Sequence, residues 1–235
     1  MESNILPEKP LRSILTRQYK YQRTIGSPIP QIKILESNKI DELMVLHKTI
    51  ETLSTKFVDL VQEICSFLST PITVGGGINQ KSDADRLFGI GIDRIILGRN
   101  KDNLLLTSHI SNKYGSQSLI YSLDINFCDL NDENNSKISF ELNQASNLGY
   151  GEVCVNIKSY DGALCGINLE ILKFILTQTS LPVTIGCGVN SISNISEAFE
   201  LGANGVCLST FLAEKDQSPR QIKAHLISMG TRTRN

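Results

Sequence analysis

Short apolar runs alternate along the chain with longer segments in which apolar residues recur every three or four positions. A period near 3.6 is typical of amphipathic helices, and short β-branched runs bounded by glycine or proline are typical of strands. The clearest helical segment is 53–69, whose periodic apolar positions are Phe57, Leu60, Val61, Ile64 and Phe67. The pattern predicts a chain in which strands and helices take turns.

One strand, turn and helix pattern occurs twice. Residues 71–78 read PITVGGGI and residues 182–189 read PVTIGCGV, an offset of 182 − 71 = 111 positions. The same offset relates Gly91 to Gly202 (202 − 91 = 111) and Ile95 to Val206 (206 − 95 = 111). Because only two copies occur, the repeat indicates a duplicated half rather than a solenoid array.

The duplication predicts the fold class. Two βαβα halves joined end to end favour a closed (β/α)8 TIM barrel, with a doubly wound open sheet as the competing arrangement. Barrels of this type have about 250 residues, and this chain has 235. We therefore expect residues 1–235 to form a single barrel domain.

Outside the repeated stretches, the same patterns predict the remaining elements. Strands are expected at 4–7, 42–47, 94–98, 118–126 and 152–157, and helices at 29–36, 83–88, 104–114, 168–177, 195–201 and 219–229. Residues 11–21 are expected to form a mobile or hairpin-like excursion over the barrel mouth. Residues 129–137 are polar and rich in turn formers, which predicts a surface loop.

Composition excludes several classes of function. The net charge of −1 gives no electrostatic basis for binding nucleic acid or an anionic membrane. No apolar run approaches the roughly 20 residues that span a bilayer. The opening residues MESN lack the basic and apolar regions of a signal peptide. These features predict a soluble, cytoplasmic protein.

The cysteines predict neither a disulfide framework nor a metal site. None of the six falls in a CxxC pair or in a Cys/His ligand spacing, and no cofactor is expected. Cys187 replaces the middle glycine of the second glycine-rich loop. It is interpreted either as a small loop residue or as a thiol that faces a ligand.

The barrel prediction brings several polar residues and glycine turns to one mouth, because strand carboxyl ends converge at the active-site face of such barrels. A glycine turn before a helix leaves backbone N–H groups open to an anion. Two such turns on opposite sides of the mouth predict an elongated substrate with a phosphate at each end. The expected mouth residues are His47, Gly77, Arg99, Asp124, Asp161, Gly188, Ser209 and Thr210.

Over nearly its whole length the chain resembles a known family. The resembling stretches are DELMVL at 41–46, TVGGGI at 73–78, GSQS at 115–118, SLD at 122–124, YDG at 160–162 and LPV at 181–183. In this order they resemble the cyclase (synthase) subunit of imidazole glycerol phosphate synthase and its paralogues. The resemblance implies a histidine-biosynthesis barrel with two phosphate sites, related to the phosphoribosyl-formimino isomerase. It also implies that a glutaminase partner delivers ammonia through the barrel core.

The resemblance assigns roles to individual residues. It implies one phosphate site at Gly77, Gly98 and Arg99, and a second at Asp161, Gly162, Gly188, Ser209 and Thr210. Asp124 coincides with the family's catalytic acid at the end of the fifth strand. Judged from its position alone, Asp124 can also be a solvated strand-end carboxylate or a helix N-cap.

Three positions depart from the family pattern. The family carries a second catalytic Asp just after its first strand, and here Pro10 stands at that position. Acid–base cyclisation needs two positioned groups, and Glu8 lies two residues too early to replace the missing one directly. His47 stands where the family has Asp and suits proton transfer, so it is a candidate catalytic residue or an incidental one. Residues 26–28 read GSP where the family has Gly-Asp-Pro, which is more typical of paralogues outside histidine synthesis.

A further set of charges matches the family at the opposite end of the barrel. The family gates ammonia entry with two acidic and two basic residues, and Glu42, Arg94 and Glu152 match three of them. Asn4 replaces the fourth, a basic residue. The resemblance thus implies that a glutaminase docks at the N-terminal barrel face. Charges at strand starts also occur simply because the bottom of a barrel is solvated.

Functions of three kinds follow from these observations. The first is the ammonia-accepting synthase subunit of a glutamine amidotransferase, acting on the histidine-pathway intermediate or on a sugar nucleotide in surface-polysaccharide synthesis. The second is a barrel that has lost turnover and binds or regulates the glutaminase, for which Pro10 is the main support. An isomerase of a related phosphosugar also needs two acid–base groups, so the same loss counts against it.

Overall fold

The computed structural model describes residues 11–48, 52–98, 101–126 and 131–233. This part begins with an antiparallel hairpin of β1 (Ser13–Arg17) and β2 (Lys20–Gly26). Its turn residues Gln18 and Tyr19 have φ of 51° and 62°, and positive φ at both central positions is the backbone of a two-residue hairpin turn. The expectation of a hairpin-like excursion is confirmed.

Seven parallel strands form one sheet in the described residues, and each pairs with the next in chain order. Sequential parallel pairing with a helix in each connection is the arrangement of a (β/α)8 barrel, so the fold class is confirmed. The expected first barrel strand at 4–7 lies outside the described residues. The seven are β3 (Leu43–Leu46), β4 (Ile72–Gly75), β5 (Arg94–Leu97), β6 (Leu119–Ile125), β7 (Glu152–Ile157), β8 (Val183–Gly186) and β9 (Gly205–Val206).

Helices cover the outside of this sheet. Several begin at a residue whose side chain accepts a backbone N–H of the first turn, among them Ser54, Asn103, Asn168 and Ser191, which satisfies one of the free donors at a helix start. The helices are α1 (Pro28–Ser37), α2 (Thr55–Phe67), α3 (Lys81–Gly89), α4 (Leu104–Tyr114), α5 (Asp132–Asn147), α6 (Leu169–Gln178), α7 (Ile192–Leu201), α8 (Thr210–Glu214) and α9 (Pro219–Ser228). None of them, within the described ranges, is both long and apolar enough to cross a bilayer.

The loop prediction for 129–137 is wrong, because α5 begins at Asp132. Residues 132–137, whose polar character suggested a loop, form the first turns of this helix. Asn131 accepts the N–H of Asn134 at 2.9 Å and so caps the helix start. Buried Ile138, Leu142 and Ala145 then recur at helical spacing and pack into the core.

The duplication extends to single hydrogen bonds. Asp93 Oδ2 accepts the N–H of Ile72 at 2.8 Å, and Asn204 Oδ1 accepts the N–H of Val183 at 2.9 Å. Both partners are shifted by 111 (204 − 93 and 183 − 72). The side chain of Asp93, just before β5, thus accepts a hydrogen bond from the start of β4, and Asn204, just before β9, does the same for β8.

The interior of the barrel is a separate small core. Buried Ile96, Ile120 and Cys154 form a cluster against which Met44 and Cys207 pack. The larger core lies between the sheet and the helices and includes Val61, Ile64 and Val74. Alternation along the strands separates the two cores, because successive side chains point to opposite faces.

Candidate functional site

Asp124 is the exposed carboxylate at the carboxyl end of a buried strand. Its neighbours Leu123 and Ile125 are each 2% exposed, whereas Asp124 is open to solvent. In the parallel register Asp124 pairs with Asn156 of β7. Because strand carboxyl ends face the catalytic end of a (β/α)8 barrel, Asp124 lies at the mouth as expected.

Three hydrogen-bond donors converge on one oxygen of Asp124. The Tyr19 hydroxyl donates to Oδ1 at 2.8 Å, and Asn156 Nδ2 and Ser122 Oγ each lie 3.4 Å from the same atom. The other oxygen, Oδ2, faces Gly98, where an added Cβ would lie 3.7 Å from it. The carboxylate is therefore held from one side and presents its second oxygen toward the end of β5.

The hairpin is fixed over the mouth by its turn. The N–H of Gln18 donates to the carbonyl of Asp161 at 3.1 Å, and the N–H of Tyr19 donates to Asp161 Oδ2 at 2.9 Å. A Cβ on Gly162 would lie only 2.2 Å from the Thr16 carbonyl oxygen, so the hairpin backbone packs directly on this glycine. Asp161 and Gly162 thus hold the hairpin in this structure.

The first glycine loop turns tightly beside the end of β3. Gly76 and Gly77 have φ of 94° and 73°, a region that L side chains rarely adopt. A Cβ on Gly76 would lie 2.0 Å from the His47 carbonyl oxygen, and one on Gly77 would lie 2.8 Å from the Thr52 carbonyl oxygen. Both glycines are therefore required by the close approach of neighbouring backbone.

The second glycine loop repeats this geometry. Cys187 and Gly188 have φ of 71° and 84°, and a Cβ on Gly188 would lie 2.5 Å from the Gly166 carbonyl oxygen. A non-glycine residue at such a φ costs about 1–2 kcal/mol. Burial raises the pKa of the Cys187 thiol to about 12, so the thiol is protonated at neutral pH and is a poor nucleophile.

The remaining predicted phosphate residues follow β5 and β9. Gly98 comes directly after β5, and Ser209 and Thr210 stand at the start of α8. Arg99 lies outside the described residues. Gly98, Ser209 and Thr210 lie, like Gly77, Gly162 and Gly188, in the segments that follow the strands at the barrel mouth.

His47 lies at the end of β3 but packs toward the helix layer. Its ring stacks on Phe57 of α2 with centroids 4.5 Å apart, and its buried Nδ1 has no hydrogen-bond partner among the described residues. Burial lowers the pKa of the imidazole below its usual value, which favours the neutral form at neutral pH. No hydrogen bond joins His47 to Asp124 among the residues that the structure describes.

The three predicted gate residues form one ion-pair network at the start of the strands. Arg94 Nη1 lies 2.6 Å from Glu152 Oε2, and Arg94 Nη2 lies 3.2 Å from Glu42 Oε2. Burial raises the pKa of the Glu152 carboxyl, and the hydrogen bond from Thr184 and the charge of Arg94 oppose that rise. The network therefore keeps a partly buried carboxylate paired at the N-terminal end of the barrel.

Sequence reasoning missed two threonines of this network. Thr73 donates to Glu42 Oε1 at 2.5 Å, and Thr184 donates to Glu152 Oε1 at 2.6 Å. The repeat offset was an available signal, since 184 − 73 = 111. Tyr19 and Asn156 at the mouth were also missed; no pattern in the sequence marks Tyr19, because its role depends on how the hairpin docks.

Within the described part of the chain, no group of three or more His, Cys, Asp or Glu side chains is placed to hold a metal ion. The mouth offers backbone turns, one exposed carboxylate and a tyrosine hydroxyl. This arrangement suits anion binding and proton transfer.

The chain is similar to known proteins over most of its length. A family model described as "Histidine biosynthesis protein" matches residues 10–218. A putative imidazole glycerol phosphate synthase subunit hisF2 of Prochlorococcus marinus (strain MIT 9313) is 29% identical over 231 residues, which is 92% of this chain and 88% of the relative. The imidazole glycerol phosphate synthase subunit HisF of Bacteroides fragilis is 30% identical over 225 residues, 90% of each chain. A second putative hisF2 subunit, from Campylobacter jejuni, is 26% identical over 222 residues, 91% of this chain and 89% of the relative.

Proposed function

The chain belongs to the histidine biosynthesis protein family, within which it is similar to imidazole glycerol phosphate synthase cyclase subunits, and on that premise we propose that it is the ammonia-accepting subunit of a glutamine amidotransferase. A glutaminase partner releases ammonia from glutamine, and this barrel adds the ammonia to a phosphorylated substrate. The proposed reaction type is that of a lyase or cyclase.

One observation carries this proposal: the exposed Asp124 lies at a mouth flanked by two glycine loops of matching geometry. The hydrogen bonds from described residues hold Asp124 through Oδ1, which leaves Oδ2 to exchange a proton with a substrate nitrogen or oxygen. Backbone N–H groups at glycine turns and helix starts bind phosphate. Gly77, Gly98 and Arg99 are proposed for one phosphate, and a second set for the other. That second set is Asp161, Gly162, Gly188, Ser209 and Thr210.

The opposite end of the barrel supports delivery of ammonia. The Arg94 network with Glu42 and Glu152 spans the strand starts, and an apolar interior of Ile96, Ile120 and Cys154 separates it from the mouth. Neutral ammonia crosses such a lining at lower cost than ammonium, whose charge resists desolvation. We propose this face as the docking surface for the glutaminase and the network as its gate.

The departures from the family pattern bear on the substrate. Pro10 replaces the first-strand Asp and His47 replaces the Asp after the second strand. The substrate is either the histidine-pathway intermediate or a nucleotide-linked sugar of surface-polysaccharide synthesis, and these changes favour the second. His47 is proposed as an accessory catalytic group that acts in its neutral form.

The test is ammonia-dependent turnover with both substrate classes, in the absence of a partner. Wild type is compared with Asp124→Asn and with Asp59→Asn, which removes an exposed carboxylate from the outer helix α2. General acid–base groups contribute about 10²–10⁴-fold, so we expect Asp124→Asn to lower kcat by at least about 100-fold. Asp59→Asn should match wild type. Full activity of Asp124→Asn would contradict the proposal.

A second candidate function rests on Pro10 at the expected base position. In that case the barrel binds the glutaminase without turning over a substrate. Tight glutaminase binding combined with no ammonia-dependent product from either substrate class would support this second function over the first.

A further inference from the structure

Among the described residues, the Tyr19 hydroxyl donates the shortest hydrogen bond to Asp124. Tyr19 is 105 positions away from Asp124 in the sequence. The two other donors, Asn156 and Ser122, are each 3.4 Å from Oδ1, beyond the usual range for strong hydrogen bonds. The orientation of the carboxylate therefore depends mainly on Tyr19.

We propose that Tyr19 is a positioning residue for Asp124, so that docking of the β1–β2 hairpin on the mouth orients the carboxylate for proton transfer. This inference rests on the proposed function of Asp124. With Tyr19 on Oδ1, the second oxygen is directed toward Gly98, beside one proposed phosphate site. Among the contacts of the described residues, an undocked hairpin leaves Asp124 only the two longer ones.

Several contacts fix the position of the Tyr19 hydroxyl when the hairpin is docked. The backbone N–H groups of Gln18 and Tyr19 hold the turn by donating to the carbonyl and the carboxylate of Asp161. Leu15 of β1 is 1% exposed and anchors the hairpin in the protein, and Arg23 of β2 pairs with Glu214 of α8 at 2.5 Å. Because these contacts are independent of the hydroxyl, its removal should leave the hairpin docked.

The contacts around Tyr19 argue that the hydroxyl does more than fill space. Its ring lies under the Lys158 ammonium, 5.4 Å from the centroid, and a phenylalanine ring satisfies that contact equally well. A hydroxyl placed in a partly buried site costs free energy unless it is hydrogen-bonded. Burial and the negative charge of Asp124 both raise the pKa of Tyr19, so the hydroxyl remains a donor and Asp124 the acceptor.

The exposure of Asp124 distinguishes a hairpin that orients this carboxylate from one that blocks the barrel mouth. A hairpin that plugs the mouth should cover the carboxylate, yet Asp124 remains open to solvent with Tyr19 in place. The hairpin thus holds the carboxylate from one side and leaves the other side accessible. A plug predicts that loss of the hydroxyl raises activity, and a positioning residue predicts the opposite.

The test compares Tyr19→Phe with Tyr21→Phe in the ammonia-dependent assay. Tyr21 is a matched control, because it lies on the same hairpin, is 60% exposed, and directs its hydroxyl to Thr24 at 3.3 Å. Misplacement of a reacting group by about 1 Å costs about 10²-fold. We expect Tyr19→Phe to lower kcat by roughly 30- to 100-fold with KM changed less than about threefold. Tyr21→Phe should keep the wild-type kcat and KM.

A double variant separates positioning from a general structural effect. If Tyr19 acts through Asp124, then Tyr19→Phe combined with Asp124→Asn should be no slower than Asp124→Asn alone. Loss that multiplies across the two variants would overturn the inference, as would a Tyr19→Phe variant within about threefold of wild type or faster than it. A wild-type protein with no turnover of either substrate class would overturn the proposed function and this role together. An active wild type with a fully active Tyr19→Phe overturns the role alone.

Discussion

Replacing Arg94 by methionine is the sharpest test of the network at the barrel base. The change keeps an apolar stem of similar length and removes the charge that lies between Glu42 and Glu152. Two carboxylates then face each other at the strand starts. Loss of the Arg94 charge and hydrogen bond, which both lower the pKa of Glu152, should raise that pKa further.

The expected loss of stability follows from distance and exposure. The N···O distances of the two ion pairs are 2.6 and 3.2 Å, and the side chains of Arg94, Glu152 and Glu42 are 28%, 16% and 29% exposed. Removing one partner of a buried pair costs about 3–5 kcal/mol, whereas an exposed pair contributes about 0–1 kcal/mol. This partly buried network lies between these limits, so we expect the free energy of unfolding to fall by about 2 kcal/mol.

The functional assay measures turnover with glutamine plus glutaminase and, separately, with ammonium salt. Arg94→Met should lower glutamine-dependent turnover by at least about tenfold, which corresponds to 1.4 kcal/mol of coupling, and leave ammonia-dependent turnover within about threefold of wild type. Lys113→Met is the matched control, because it breaks an ion pair with Asp85 at the outer helices α3 and α4. Equal loss of both activities, or unchanged use of glutamine, would refute the assignment of a gate.

Two further predictions concern stability. Gly76→Ala introduces a Cβ at 2.0 Å from the His47 carbonyl oxygen, at a φ of 94°. Such a φ alone costs about 1–2 kcal/mol, so we expect the free energy of unfolding to fall by more than this amount. Gly230 has a similar φ of 84° and open space around it, so in denaturant titrations Gly230→Ala should lower the free energy of unfolding only by the cost of the φ. Equal losses of stability in the two variants would contradict the packing argument. Burial raises the pKa of both Tyr121 and Tyr150, and nearby negative charge raises that of Tyr121 further. In the unfolded chain both tyrosines ionise near pH 10. Above pH 10 the unfolded chain therefore releases protons that the folded protein retains, and the free energy of unfolding should fall by about 1.4 kcal/mol per pH unit for each tyrosine. The Tyr121→Phe/Tyr150→Phe variant should show a shallower slope between pH 9 and 11, and an unchanged slope would contradict the prediction.

Apolar periodicity made most of the helices and strands predictable. A strand expected at 152–157 is found as Glu152–Ile157, and a helix expected at 104–114 is found as Leu104–Tyr114. In both, apolar periodicity agrees with clear boundary residues. The helix α5 was missed because its polar start resembles a loop and its buried residues, beginning at Ile138, lie beyond the predicted loop.

The positions of the candidate site residues were predictable only where the strand order determines them. Asp124 and the predicted gate residues lie at the ends of regular strands, so the barrel prediction is enough to place them at opposite ends of the barrel. Tyr19 reaches Asp124 through hairpin docking, a contact over 105 residues that local patterns do not encode. His47 also follows the end of a strand, and its ring packs on Phe57, an orientation that the strand order does not determine. Its catalytic role stays a prediction.

The central claim is that two anion-binding loops share one mouth, and calorimetric titration of a ligand with a phosphate at each end tests it most directly. The same ligand with one phosphate removed is the comparison, at constant ionic strength. Hydrogen bonds to a charged group contribute about 1.5–3 kcal/mol each, so we expect the doubly phosphorylated ligand to bind at least about 100-fold more tightly. Equal affinity of the two ligands would contradict the account.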